Sequence, residues 1–203
     1  MIIKVLAKTD EIDARVIARF GNATQPEPTP QTSVEVRKIR ALCDRRQQII
    51  EDRVREQNRL ESCADAEVVA DIENNINALQ QVESDLDHRI NELIKSDETM
   101  QRKAKVMMQQ KGVGNCTTRA LLAYLPELGT LTRGQAAALV GLAPYANESG
   151  TQRGQRRIIA GRAAVRKSLY MAAVTAARWC PVLSLFYKQL RARGKSYKTA
   201  IIA

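Results

Sequence analysis

"DIENNINALQQVESDLDHRINELI", residues 71–94, sets Ile72, Ile76, Leu79, Leu86, Ile90 and Leu93 at alternating steps near three and four, with Glu83 as the polar intruder. Such steps keep apolar side chains on one stripe of a helix. Sustained this long, the stripe is the seam of an antiparallel helical hairpin or of a coiled coil joining two chains. The surroundings agree. From Val34 to Met108 there is no proline or glycine, so nothing in the stretch breaks a helix. Ile39, Leu42 and Ile49 begin a matching stripe that weakens through Arg53 and Glu56 before Leu60, and "SCADAE", residues 62–67, offers the corner between two arms. One narrow stripe does not bury a long hairpin well, so self-association is the expected remedy. The sole histidine, His88, reads as a solvated helix residue.

Outward from the hairpin the texture changes. Residues 1–33 form a short head that runs into a helical piece, "KTDEIDARVIARF", and then a linker, "GNATQPEPTPQTS", with three prolines. Thr32 or Ser33 is placed to cap the next helix, with Glu35 or Val36 in its first turn. Residues 109–203 read as short helices. One carries Leu121, Leu122 and Leu125 and stops at Pro126; the next runs from a Thr132 cap to Gly141. A third, from Arg162 to Trp179, buries Val165, Leu169, Ala172, Ala173 and Ala176, and Pro181 and Gly194 bracket a fourth. "SYKTAIIA" begins a further helix without a cap, as if the chain were cut there. The expected class is mainly α.

The 203 residues carry a formal net charge of +10, but not evenly. Residues 1–110 hold 17 Lys and Arg against 20 Asp and Glu, whereas residues 111–203 hold 15 against 2. A segment so one-sided repels itself unless its partner brings negative charge, and the commonest such partner is a nucleic-acid backbone. No apolar run approaches the roughly 20 residues of a membrane span. Cys43, Cys63, Cys116 and Cys180 show no zinc spacing and read as reduced thiols of a cytosolic protein, with Cys43 and Cys63 able to face each other across the hairpin.

Three places have the residue types for chemistry. Gly112 and Gly114 flank Val113 at the entry to a helix. They are either a simple tight turn or a helix-hairpin-helix-like element whose backbone N–H groups approach phosphate, reinforced by Lys111 and Arg119. Ser149 stands beside Gly150 at the head of a stretch with no acid after Glu148. Arg153, Arg156, Arg157, Arg162, Arg166 and Lys167 follow it, and guanidiniums suit the charge that builds up when a hydroxyl attacks a phosphodiester. Gly150 and Gly154 would let this loop approach a sugar-phosphate backbone, and the bland alternative is a loop serine beside a basic patch. A Ser–His pair would need His88, which lies in the hairpin. Asp10 and Asp13, at i and i+3 in a first helical turn, can face one way and hold Mg²⁺, or simply answer the helix dipole.

"LAKTDEIDARVIARF", the hairpin, "KGVG", "GLAPYANESG" and "FYKQLRARGKSYKTA" together, in this order, resemble the serine-using DEDD insertion-sequence transposases, a bridge-RNA-guided group that includes the Piv-type DNA invertases. The resemblance runs over nearly the whole chain from Leu6. It implies that residues 1–33 are the C-terminal remnant of a RuvC-like (RNase H-fold) domain plus linker, with Asp10 and Asp13 as the last two acids of a Mg²⁺ site. It implies a helical hairpin or coiled coil over 34–108 that mediates subunit assembly. Residues 109–203 would be a compact helical transposase domain in which Ser149 forms a transient phosphoserine link to DNA. The implied partners are DNA, a guide RNA and further copies of the chain, without a membrane, in a prokaryotic cytoplasm at the nucleoid. Two features depart from the family pattern. Lys111 stands where proline commonly precedes Gly-x-Gly, and the family's first Asp and its Glu lie upstream of the Lys-Thr-Asp motif with which this chain nearly begins. The expectation that follows is a polypeptide catalytically incomplete on its own.

Overall fold

Each helix of the hairpin starts where the sequence supplies an oxygen to cap it. In the computed structural model, which describes residues 9–26, 31–143, 148–149, 152–153, 158 and 160–203, helix α2 (Val34–Ser62) begins at Ser33, whose Oγ accepts from the Val36 N–H at 3.2 Å. Helix α3 (Ala66–Ser96) begins at Asp65, which accepts from Glu67 and Val68. Each cap satisfies an amide that the helix cannot, worth about 1 kcal/mol. The corner between them falls at Cys63–Asp65, inside "SCADAE".

The two arms run antiparallel, and their polar interruptions meet each other. Arg46 donates to Glu83 at 2.8 Å and to Asp87 at 2.6 Å, and Arg53 donates to Glu83 at 3.2 Å. The side chain of Glu83 is 17% exposed. Glu83 thus fills a gap in one apolar stripe with the partner of the arginines that interrupt the other. Below this cluster the seam is dry: Ile39 and Ile90 are fully buried, and Ile94 packs with them.

The Pro- and Gly-free run is not one hairpin to its end. Asp97 closes α3 and caps α4 (Glu98–Met108), accepting from Met100 N at 2.9 Å. The break lets Met100 and Ala104 turn inward to join Ile39, Ile90 and Ile94 in one core with Leu122 and Ala123. Leu122 and Ala123 belong to α5 (Asn115–Tyr124), which is buried from Thr117 to Ala123. The base of the hairpin and the first helix of the basic segment therefore share a core.

A second cluster joins Leu121 and Leu125 to Val140 and Val165. Val140 ends α6 (Arg133–Val140), which Thr132 and Gln135 start with a reciprocal capping box and Gly141 stops in the left-handed conformation. Val165 lies in α7 (Ala163–Trp179), which meets α8 (Pro181–Ala192) at 97°. Burying each such side chain contributes about 1.5–3 kcal/mol. The final helix, α9 (Tyr197–Ile202), does have an N-cap: Ser196 accepts from the Thr199 N–H. Its Ala200 and Ile201 are buried.

The cysteines correct one expectation. Cys43 and Cys63 lie on the same arm, 20 residues apart, which is about 30 Å of helix, so they do not face each other. All four are free thiols. Residues 1–32 form a separate unit from residues 33–203. In the first unit α1 (Asp10–Thr24) starts at Thr9, whose hydroxyl accepts from Ile12 N.

Candidate nucleic-acid interface and the Ser149 segment

The chain leaves α6 at Gly141 and returns to α7 through Ala160–Gly161, and the two ends of this excursion touch backbone to backbone. A Cβ on Gly161 (φ +103°) would sit 2.4 Å from the Gly141 Cα, and one on Gly141 (φ +79°) would sit 2.1 Å from the Ala160 carbonyl oxygen. Both residues must be glycine for the ends to meet. Hydrogen bonds reinforce the closure: the Arg162 N–H donates to the Leu139 carbonyl at 2.9 Å, and Arg166 Nη1 donates to the carbonyls of Val140 and Ala160 at 3.1 and 3.2 Å. Within the excursion, strands β1 (Glu148–Ser149) and β2 (Gln152–Arg153) pair antiparallel, with Ser149 opposite Gln152. Ser149 thus has its backbone in a short hairpin above a clamped base.

The arginines divide by what holds them. Arg162 grips Glu127 with both terminal nitrogens, at 2.6 and 2.7 Å, and also donates to the Tyr124 carbonyl. The Arg162–Glu127 hydrogen bonds hold the Glu127 carboxyl below its ordinary range and raise Arg162. Arg162 is therefore a structural brace, and it does not crowd one anion together with Arg166, whose Nη1 holds the clamp. Arg119 corrects a second expectation. It is 8% exposed, in ion contact with Asp87 and hydrogen-bonded to Asn91 at 3.0 Å, so it ties α5 to α3 and is not a surface phosphate contact. Lys167 is exposed. Gly150, Gly154, Arg156 and Arg157 lie outside the described residues, as do the side chains of Ser149 and Arg153.

The glycine turn is explained in part by packing. Gly112 (φ +97°) brings the turn against α7, where a Cβ would lie 2.5 Å from the Ala172 carbonyl oxygen and 2.9 Å from the Ala176 nitrogen. Gly114 has open space around it and starts α5 without a side-chain cap. Lys111 is exposed beside this turn.

Asp10 and Asp13 are exposed on the first turn of α1 with Glu11, which pairs with Arg15 at 2.7 Å. Among the described residues no group of three His, Cys, Asp or Glu side chains is placed to hold a metal ion. Two exposed carboxylates on one turn do not by themselves make a Mg²⁺ centre.

One surface was not singled out from the sequence. Trp179, Val182, Leu185 and Phe186 are 68, 74, 59 and 46% exposed around the α7–α8 elbow. Lys188 of α8, Arg193 and Lys195 in the turn after it, and Lys198 of α9 are exposed. The signal was present, since aromatic residues interleaved with cations and no acids form a pattern that suits stacking on bases beside phosphate contacts. Among the described residues no single helix is long and apolar enough to cross a membrane, although α7 and α8 pass that test as a bent pair.

Residues 104–188 match the model of the transposase IS116/IS110/IS902 family, and residues 3–68 match a transposase model of the DEDD type from the IS110 group. The chain is also similar to the pilin gene-inverting proteins of Moraxella bovis and Moraxella lacunata, each 28% identical over 204 residues and 98% of this chain. It spans 63% of the length of each relative. The transposase matches take in the head from residue 3, the first hairpin arm, the basic segment up to residue 188 and the Gly141–Gly161 clamp.

Proposed function

We propose that this chain belongs to a transposase-type DNA recombinase in which Ser149 is the nucleophile. The observation that carries the reading is the glycine-on-glycine clamp that closes the base of the Ser149 segment. A nucleophile needs a fixed approach to its phosphorus atom, and a braced loop supplies one. Ser149 Oγ bonds to the scissile phosphorus as the bond to the leaving sugar oxygen breaks, giving a phosphoserine link and a free strand end. Arg153, Arg156 and Arg157 supply positive charge for the transition state, while Arg162 and Arg166 hold the clamp that positions them.

The DEDD-type match goes with divalent-metal dependence in general, and Mg²⁺ is the ion we propose for the family reaction. The described carboxylates do not complete a site for it, so no step is routed through a metal here. The head is proposed as the C-terminal part of a RuvC-like domain, residues 34–108 as the assembly arm and residues 109–203 as the DNA-binding transposase domain. The turn from Lys111 to Gly114 is the helix-hairpin-helix-like contact to phosphate, and a guide RNA shares the basic surface. Pairing of two copies would use the apolar side chains left exposed on the hairpin, Val54, Val68 and Val82. The charge of residues 111–203, 15 Lys and Arg against 2 Asp and Glu, equally suits a second reading, a non-catalytic nucleic-acid-binding module dimerised by the hairpin.

The test is a covalent adduct. Incubating the chain with labelled DNA from its own element, Mg²⁺ and the matching RNA, then denaturing, is expected to leave a protein–DNA band that disappears in Ser149→Ala. A band that survives the substitution rejects Ser149, and no band with intact binding supports the binding module.

A further inference from the structure

A cavity of about 450 Å³ opens between α2, α5 and α7. Two helices start at it. Cys116 and Thr117, from the first turn of α5, and Ala163 and Ala164, from the first turn of α7, lie in its wall. Neither helix start has a side-chain cap or an acid in its first turn. Two uncapped N-termini therefore bring free amide groups and partial positive charge to one hollow.

The cations around it have the same sense. Arg46, Arg119 and Lys167 line the cavity, and among the described residues no Asp or Glu lines it. Glu83 and Asp87 neutralise Arg46 and Arg119, and Asp44 accepts from the Tyr124 hydroxyl at 2.6 Å, which leaves Lys167 as the lining cation with no ion pair among the described residues. Arg119 is more than nine-tenths buried, and its Nε–H has no hydrogen-bond partner. Asp87 meets the guanidinium charge, but an N–H donor left without a partner in so buried a position is costly. Lys167 and Met171 stand exposed at the wall, so the hollow is open to solvent.

We propose that this cavity seats a phosphate group of a bound nucleic-acid strand, held by the α5 and α7 N-termini with Lys167. Its volume falls in the range of small-ligand sites, roughly 300–1,000 Å³. The seat would fix a strand against the hairpin base. The inference rests on the nucleic-acid reading above for the source of the phosphate, though inorganic phosphate offers the same chemistry.

Cys116 is an exposed thiol in the cavity wall and reports occupancy directly. Alkylation of the full chain is followed by peptide mass spectrometry with a short single-stranded oligonucleotide, with inorganic phosphate, and with neither. The oligonucleotide is expected to slow Cys116 labelling at least fivefold while Cys63, at the hairpin corner, is unchanged. Lys167→Gln should remove that protection and lower the salt slope of binding by about 0.7, the single-strand value for one contact. Protection by inorganic phosphate at low millimolar concentration with no oligonucleotide binding keeps the site and rejects the nucleic-acid function. Salt-dependent oligonucleotide binding without Cys116 protection overturns the site and leaves that function standing. Protection that persists in Lys167→Gln also overturns the assignment, and no effect of either probe rejects both.

Discussion

The hairpin and the segment after Glu148 carry charge in opposite ways. Along the hairpin, cations and acids are interleaved, and the structure pairs them: Arg46 and Arg53 with Glu83, Arg46 and Arg119 with Asp87. After Glu148 there are twelve Lys and Arg and no acid. Among the described residues one salt bridge reaches into that stretch, from Arg162 back to Glu127. Charge that meets its counter-charge inside the chain builds structure, whereas charge left without one is available to a ligand. The number of arginines near a candidate site is therefore a poor guide until the partner of each is known.

The sharpest way to break this contrast is to strip the acids from the hairpin. Asp87→Ala leaves the buried Arg119 without its counter-ion, and losing one partner of a buried pair costs about 3–5 kcal/mol. Urea unfolding should show that loss, whereas a change below 1 kcal/mol would mean the cluster is ornamental. Next in size is the clamp. Gly161→Ala forces a methyl into the Gly141 backbone at a positive φ, with an expected cost of about 1–3 kcal/mol and loss of Ser149 adduct beyond what the stability change explains.

Thiol reactivity gives a third handle, on the hairpin side. Burial pushes the Cys43 thiol up to about 11, so at neutral pH Cys43 should alkylate far more slowly than exposed Cys116, and the difference should shrink as pH rises toward 11. Equal rates at neutral pH contradict the packing at the hairpin base. The smallest effect concerns the lone bridge. Arg162 depresses the Glu127 pKa below its ordinary 4.5, so the pair stabilises the fold above that pH and loses its contribution as pH falls through the lower folded value. Glu127 is more than a third exposed, so the contribution is under about 1 kcal/mol. Acid titration of Arg162→Gln against the parent should show a shallower loss of stability, and identical profiles would remove the brace.

How far the sequence could be read follows the same division. Local chemistry was legible: the Ser33 cap, the "SCADAE" corner, the Thr132–Gly141 pair and Pro181 at the start of α8 each need only residues within one turn. Long-range pairing was not. Asp97 looks like any polar residue inside a helix-compatible run, and its break follows from α4 turning into a core with Leu122, 25 residues on. Arg119 reads as a phosphate contact from its neighbours alone, because its partners, Asp87 and Asn91, lie about thirty residues earlier. The basic character of the candidate site was plain in composition, but which arginines brace it and which face outward depends on tertiary partners. The exposed Trp179–Phe186 surface is hidden in the sequence because apolar residues at helical spacing read first as core.

The contrast itself is most directly tested by the salt dependence of DNA affinity in two paired variants. Lys188→Gln/Lys198→Gln removes exposed cations from the acid-free segment, and Arg45→Gln/Arg89→Gln removes exposed cations from the hairpin. Each phosphate contact contributes about 0.9 to the slope of log affinity on log salt. The account predicts a slope shallower by nearly two for the first pair and unchanged for the second; equal losses in both would contradict it.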